Sequence, residues 1–75
     1  MAIERPLDAL NVAKGKSVVV ELKNGSVIRG MLLAFDIHLN VVLDDAEQLE
    51  NNEVSRKFGR LLIRGDTVIL IIPSE

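Results

Sequence analysis

Residues Gly30 to Asp45 read GMLLAFDIHLNVVLDD, and how they are read decides the rest of the chain. At the centre, Phe35-Asp36-Ile37-His38-Leu39-Asn40 sets the only histidine two residues from an asparagine. Apolar residues flank both, with no glycine or proline among the six. The runs on either side, Val27 to Phe35 and Val41 to Leu49, are rich in Val, Ile and Leu and predict strands. Asp36 to Leu39 is then a tight connection, with Asp36 as the turn-former whose carboxylate takes nearby backbone N–H groups. The first of these strands is too long and too apolar for a flat surface strand. Gly30 sits in its middle, where a glycine marks a sharp bend or a close backbone approach.

Toward the N-terminus, Val18, Val20 and Leu22 alternate with Val19, Glu21 and Lys23, a strand with one face inward. Asn24-Gly25 joins it to Val27 as a hairpin signal, since both residues tolerate positive φ. Further back, Pro6 suits the first turn of a helix, where its missing N–H costs nothing. Leu7, Leu10 and Val12 follow at near-helical spacing and Gly15 is a stop, so residues 6–13 form one short helix and residues 1–5 an arm. A helix this short is marginal alone and must lie on something apolar.

Toward the C-terminus, Glu50-Asn51-Asn52-Glu53 is a polar turn and Arg56 to Ile63 a fourth strand, with Gly59 as a further bend. Arg64-Gly65-Asp66 is a turn in which glycine supplies positive φ. Thr67 to Ile72 is a fifth strand ended by Pro73. The fold class is therefore all-β: a strongly bent, five-stranded antiparallel open barrel with a short N-terminal α-helix, one domain over residues 1–75.

A domain of 75 residues buries little surface and needs added stabilisation. The chain has no cysteine, which removes disulfides and thiolate metal sites, and one histidine argues against a His-based zinc site. Oligomerisation is what remains, and it fits an apolar content of 48%. The fifth strand points the same way. Val68 to Ile72 is apolar without alternation, an aggregation hazard unless its edge is covered. Pairing with a neighbour's edge, repeated head to tail, closes a ring.

The net charge of −2 argues mildly against a nucleic-acid binder. The distribution softens this. Asp44, Asp45, Glu47, Glu50 and Glu53 form an acidic block without a base, and outside it nine bases face six acids. No stretch spans a bilayer and no signal peptide is present, so a soluble cytoplasmic protein with no membrane partner is the default.

At this point the residues resemble the Sm and Sm-like (LSm) family, most closely its archaeal branch. The first motif, about 17–45, contains the alternating valines, Leu22-Lys23-Asn24-Gly25, Gly30, Phe35 to Asn40 and Val42-Leu43-Asp44. The second, about 57–72, contains Leu62-Ile63-Arg64-Gly65-Asp66 and Val68. The resemblance implies a homomeric ring, usually of seven with six as the alternative, joined through the fourth and fifth strands. It implies single-stranded U-rich RNA at the pore, one base per subunit, with no catalysis and no cofactor. Its pocket residues fall on His38, Asn40, Arg64 and Asp66, with Gly65 and Asp36 shaping the loops.

The chemistry suits those residue types. RNA recognition targets unstacked bases held between flat side chains and read on their edges. His38 supplies one flat face and the Arg64 guanidinium the other. Asn40 has an acceptor for uracil N3–H and a donor for O4, and cytosine presents the reverse. Asp66, acceptor-only, is expected to hold the Asn40 amide in the uracil-reading orientation.

Plainer readings stand beside these. His38 alone reads as a turn histidine, Arg64-Gly65-Asp66 as a plain turn, and the acidic block as a solvated face. Asp44, Asp45 and Glu47 match no known metal-loop spacing. Three function classes follow: an RNA-binding ring that scaffolds or chaperones U-rich RNA, a ring-forming protein-assembly module with incidental RNA binding, and a nuclease using His38 with Asp36 or Asp66. The last is the weakest, for want of an activated nucleophile or a metal cluster.

Overall fold

The computed structural model describes residues 4–73; residues 1–3 of the expected arm lie outside them. The chain runs α1 (Pro6–Ala13), β1 (Ser17–Leu22), β2 (Val27–Phe35), β3 (Val41–Glu50), β4 (Glu53–Ile63), a 3₁₀ turn (Gly65–Thr67) and β5 (Val68–Pro73). The five strands form one antiparallel sheet in the order β4-β3-β2-β1-β5. β4 and β5 are its two edges, so the bent sheet does not close on itself. No described helix is long and apolar enough to cross a membrane.

Asp8 starts α1 by reaching back, its carboxylate accepting the backbone N–H groups of Arg5 at 3.0 Å and Glu4 at 3.2 Å. Leu10 and Ala13 are buried and Leu7 packs beside them, a stripe at spacing three on one face. Val12, expected to join that face, is 37% exposed. Two positions past the helical stripe's last leucine, it points away, and Ala13 takes its place. Gly15 ends the helix at φ +83° and donates its N–H to Leu32 O at 2.8 Å. That bond and Leu32 N–H to Lys16 O at 2.9 Å tie the helix exit to β2.

The core is aliphatic. Val18, Val20, Leu32, Val41 and Leu43 are fully buried, with Ile28, Ala46 and Ile63 around them. Each such large side chain stabilises the fold by about 1.5–3 kcal/mol relative to exposure. Gly30 faces this core where β2 crosses β3. A Cβ there would lie 3.0 Å from both Asp44 O and Leu43 Cβ. The pairing of β2 with β3 shifts register at this point, between Arg29 and Met31. The glycine therefore serves a close backbone approach. Gly59 marks the second bend, at φ +80° opposite Ala46, where the β3–β4 register also shifts.

The turns differ from expectation in an instructive way. At Asn24-Gly25 only the glycine adopts positive φ, at +90°, while Asn24 Oδ1 accepts Ser26 N–H at 2.9 Å. The two-residue turn with both φ values positive lies instead at Asn51 (+52°) and Asn52 (+66°). β4 consequently begins at Glu53, three residues earlier than the charge pattern suggested. The acidic block is not simply solvated. Arg29 Nε donates to Glu47 at 3.0 Å across β2–β3, and Arg60 pairs with Asp44 at 3.4 Å across β3–β4.

Candidate functional site

Sheet register brings the two singled-out stretches together. Phe35 pairs with Val41 across β2–β3, and Val41 pairs with Ile63 across β3–β4. The residues just outside these pairs, Asp36 to Asn40 and Arg64 to Thr67, must then emerge side by side from the same end of the barrel. His38, Asn40, Arg64, Gly65 and Asp66 line one open cleft of about 370 Å³ there. That volume lies within the range of small-ligand sites.

The 36–40 loop is held from within by Asp36. Its Oδ1 accepts the backbone N–H groups of His38 at 2.9 Å and Asn40 at 3.0 Å. Backbone bonds from Leu39 N–H to Asp36 O (3.0 Å) and from Asp36 N–H to Asn40 O (3.1 Å) complete the turn. Leu39 adopts φ +62° to make it, a left-handed conformation uncommon for leucine. These bonds also hold the Asp36 carboxyl below its ordinary value of 3.8, the Asn40 side-chain amide foremost and the two backbone N–H groups after it, against an opposing effect of burial.

The second loop is a 3₁₀ turn. Thr67 donates to Arg64 O from both its backbone N–H (3.0 Å) and its hydroxyl (2.7 Å). Arg64 Nη2 lies 3.2 Å from Asp66 Oδ2, and the Arg64 side chain is 75% exposed. Its guanidinium is thus paired with Asp66 while most of the side chain stays open to solvent. His38 is exposed on the facing loop.

Asn40 joins the loops. Its Oδ1 accepts the Gly65 N–H at 2.7 Å, and its Nδ2 donates to Asp36 Oδ2 at 3.0 Å. The carboxylate that holds the amide therefore belongs to Asp36, not to Asp66 as expected from sequence. Asp66 is committed to Arg64 instead. Gly65 also departs from expectation, since its φ is not positive. Its need is steric: a Cβ at Gly65 would collide with His38 O and lie 2.8 Å from His38 C and Leu39 C. In the RNA-binding reading the sequence assigns Asp36 the shaping of its loop. The signal for its second role was the spacing of four between Asp36 and Asn40, which lets one carboxylate serve both backbone and amide.

All six expected residues are thus gathered at one place, where an immobilised amide shares one cleft with two exposed flat groups. Among the described residues no group of three or more His, Asp or Glu side chains could hold a metal.

Comparison with known proteins places this geometry in context. The LSM domain family model matches residues 8–73. An Sm-like protein of Pyrococcus horikoshii is 51% identical over 72 residues, 96% of each chain. The Sm protein of Pyrococcus abyssi, solved in complex with a uridine heptamer, superposes with a TM-score of 0.90 at 49% identity, covering 95% of this chain and 100% of that one. The heptameric Sm-like protein of Pyrobaculum aerophilum gives a TM-score of 0.88 at 35% identity, covering 99% of both chains. With the bent five-stranded sheet and nearly the whole length in agreement, the chain belongs to the LSM-domain family of Sm-like proteins.

Proposed function

We propose that this chain is a non-catalytic subunit of a homomeric ring, seven-membered like the P. aerophilum relative, that binds single-stranded U-rich RNA. One uracil per subunit stacks between His38 and Arg64, and Asn40 reads its edge. The ring acts as a scaffold or chaperone in RNA processing. The observation that carries this reading is the Asn40 amide, fixed by Asp36 and Gly65 in a cleft that the exposed His38 and Arg64 also line. Each Asn40 atom keeps one further hydrogen-bonding position, an acceptor on Oδ1 and a donor on Nδ2. Uracil offers the complement in N3–H and O4.

Ring formation is supported by the two uncovered edges. β5 exposes Ile69 (55%) and Ile72 (53%), and β4 exposes Leu62 (62%). Beside β4 the open side of the barrel forms an apolar cleft lined by Leu22, Ile28, Phe58 and Leu61. A neighbour's β5 laid along β4 would satisfy both surfaces, and a single weak pocket gains avidity when the ring repeats it. The relative solved in complex with a uridine heptamer supports the ligand class.

The test is fluorescence-anisotropy titration of oligo(U), oligo(C) and oligo(A) at physiological salt, where non-specific phosphate binding fades. Light scattering on the same samples gives the assembly size. Selective binding of oligo(U) by a ring is the expected result. Equal binding to all three, or none, would overturn the uridine site and leave the protein-assembly reading.

A further inference from the structure

The Asn24-Gly25 turn carries chemistry that the pocket does not use. Of the asparagines Asn11, Asn24, Asn40, Asn51 and Asn52, only Asn24 is followed by glycine. A backbone nitrogen can attack the side-chain amide of the asparagine before it, unless a side chain on its own residue shields it. Val12, Val41, Asn52 and Glu53 supply that shield after the other asparagines. Gly25 supplies none. The space around it is open as well: a Cβ on Gly25 would meet nothing within 4 Å, and Asn24 and Gly25 are both exposed.

The turn meets two needs of that reaction and withholds a third. Asn24 Oδ1 accepts the Ser26 N–H at 2.9 Å, which folds the side chain forward over Gly25. The same N–H is placed to stabilise negative charge developing on Oδ1. Against this, the Gly25 N–H is held by Leu22 O at 2.9 Å. That bond must open before the nitrogen can lose its proton, so the closed hairpin slows the reaction without blocking it. Asn40 is the contrast: both of its amide atoms are held, and the residue after it, Val41, is fully buried.

We infer that Asn24 is a site of spontaneous deamidation whose product sets a new negative charge beside Asp66. Hydroxide takes the Gly25 N–H proton, and the nitrogen bonds to Asn24 Cγ. The Cγ–Nδ2 bond breaks and Nδ2 leaves as ammonia, its added proton returned by water. The resulting succinimide is opened by water at either carbonyl, to aspartate or to isoaspartate. No oxidant or reductant takes part. Asn24 shares a cleft with Lys23, Asp66 and Thr67, and the Lys23 N–H bonds to Thr67 O at 2.8 Å. The new carboxylate therefore arrives next to the turn that carries Arg64 and its partner Asp66. A negative charge there opposes a polyanion. That effect on binding rests on the uracil-pocket reading above; the modification itself does not.

The assembled wild-type protein, kept for weeks in mildly alkaline buffer, supplies the test. Mass spectrometry of its digest should show the amide-to-acid mass change in peptides containing Asn24, and isoaspartyl methyltransferase should label the same peptides. The other asparagines should remain amides. Conversion should quicken as pH rises, and further in urea, where the bond to Leu22 is lost. Aged protein should bind oligo(U) about two- to fivefold more weakly than fresh protein, the scale of one exposed charge. Asn24→Asp should show that loss without ageing, since aspartate keeps an acceptor for Ser26. An Asn24 that stays an amide, whether or not another asparagine converts, overturns the inference. Conversion with binding unchanged overturns the placement of the charge beside the pocket. Fresh protein that treats oligo(U), oligo(C) and oligo(A) alike overturns the uracil reading, and the mass change then decides the modification on its own.

Discussion

Gly65 rests against the carbonyl of His38 so closely that no side chain fits between them. This is the contact by which the 3₁₀ turn buttresses the 36–40 loop, and it lets the Gly65 N–H reach Asn40. Gly65→Ala should push the two loops apart. Overpacking of this kind costs about 1–3 kcal/mol, read as a lower midpoint in urea unfolding. Oligo(U) affinity should fall further than stability does, because the amide lock opens. A variant with wild-type affinity would show that the loops need not touch.

Arg64 is exposed and steered by Asp66. Arg64→Ala should weaken oligo(U) binding by about 1–3 kcal/mol per base, with no change in assembly size. Arg64→Lys should recover little of this, since an ammonium keeps the charge but has no flat face to stack. Full recovery by lysine would mean the residue serves phosphate rather than base. Anisotropy at two salt concentrations separates the cases.

A Cβ on Gly30 would lie 3.0 Å from both Asp44 O and Leu43 Cβ, where the β2–β3 register shifts. Gly30→Val should destabilise the chain by about 1–3 kcal/mol or more through overpacking. Circular dichroism against urea concentration measures it. An unchanged midpoint would contradict the close approach.

The edges can be blunted from outside the core. Ile69 and Ile72 are more than half exposed on β5. Charged side chains on an edge strand oppose edge-to-edge pairing. Replacing both by lysine should reduce the mass in light scattering to that of a single chain, with the circular dichroism of a β fold retained. An intact ring in this variant would place the subunit contact elsewhere.

Asp36 makes a pH prediction. Its carboxyl is held below 3.8 in the fold, chiefly by the Asn40 amide. The folded state therefore binds the proton more weakly than the unfolded chain does. Its contribution is present in full above the unfolded value and is lost as pH falls through the lowered folded one. The ¹³C shift of the Asp36 carboxyl should titrate with a midpoint below 3.8. The amide shifts of His38 and Asn40 should follow the same curve. A midpoint above that value would mean the loop does not hold the anion.

The architecture was legible because its signals are local. Pro6 and Gly15 bracket the helix, alternation in Val18 to Leu22 fixes a strand, and Gly30 announces the bend. Boundaries failed where one local preference outbid another. Asn51-Asn52 took the tight turn and let β4 start at Glu53, while Val12 lost its inward place to the smaller Ala13. In the site, residue types were legible and connections were not. That the Gly65 N–H, and not Asp66, meets Asn40 from the second loop depends on the register of Val41 against both Phe35 and Ile63. That register is a long-range property that no short motif contains. Gly65 likewise reads as a flexible turn residue until the neighbouring loop is in place.

The sheet order leaves two free edges that differ, β4 at one end and β5 at the other. Where chains join through them, each joint is directional and a subunit has one donor end and one acceptor end. A chain with a ruined β5 but an intact β4 is then a terminator: it occupies a neighbour's β5 and offers nothing onward. Because closure requires every joint, one such chain spoils a whole assembly. Mixed with intact chains, it should suppress rings far out of proportion to its share, steeply with the number of seats to be filled.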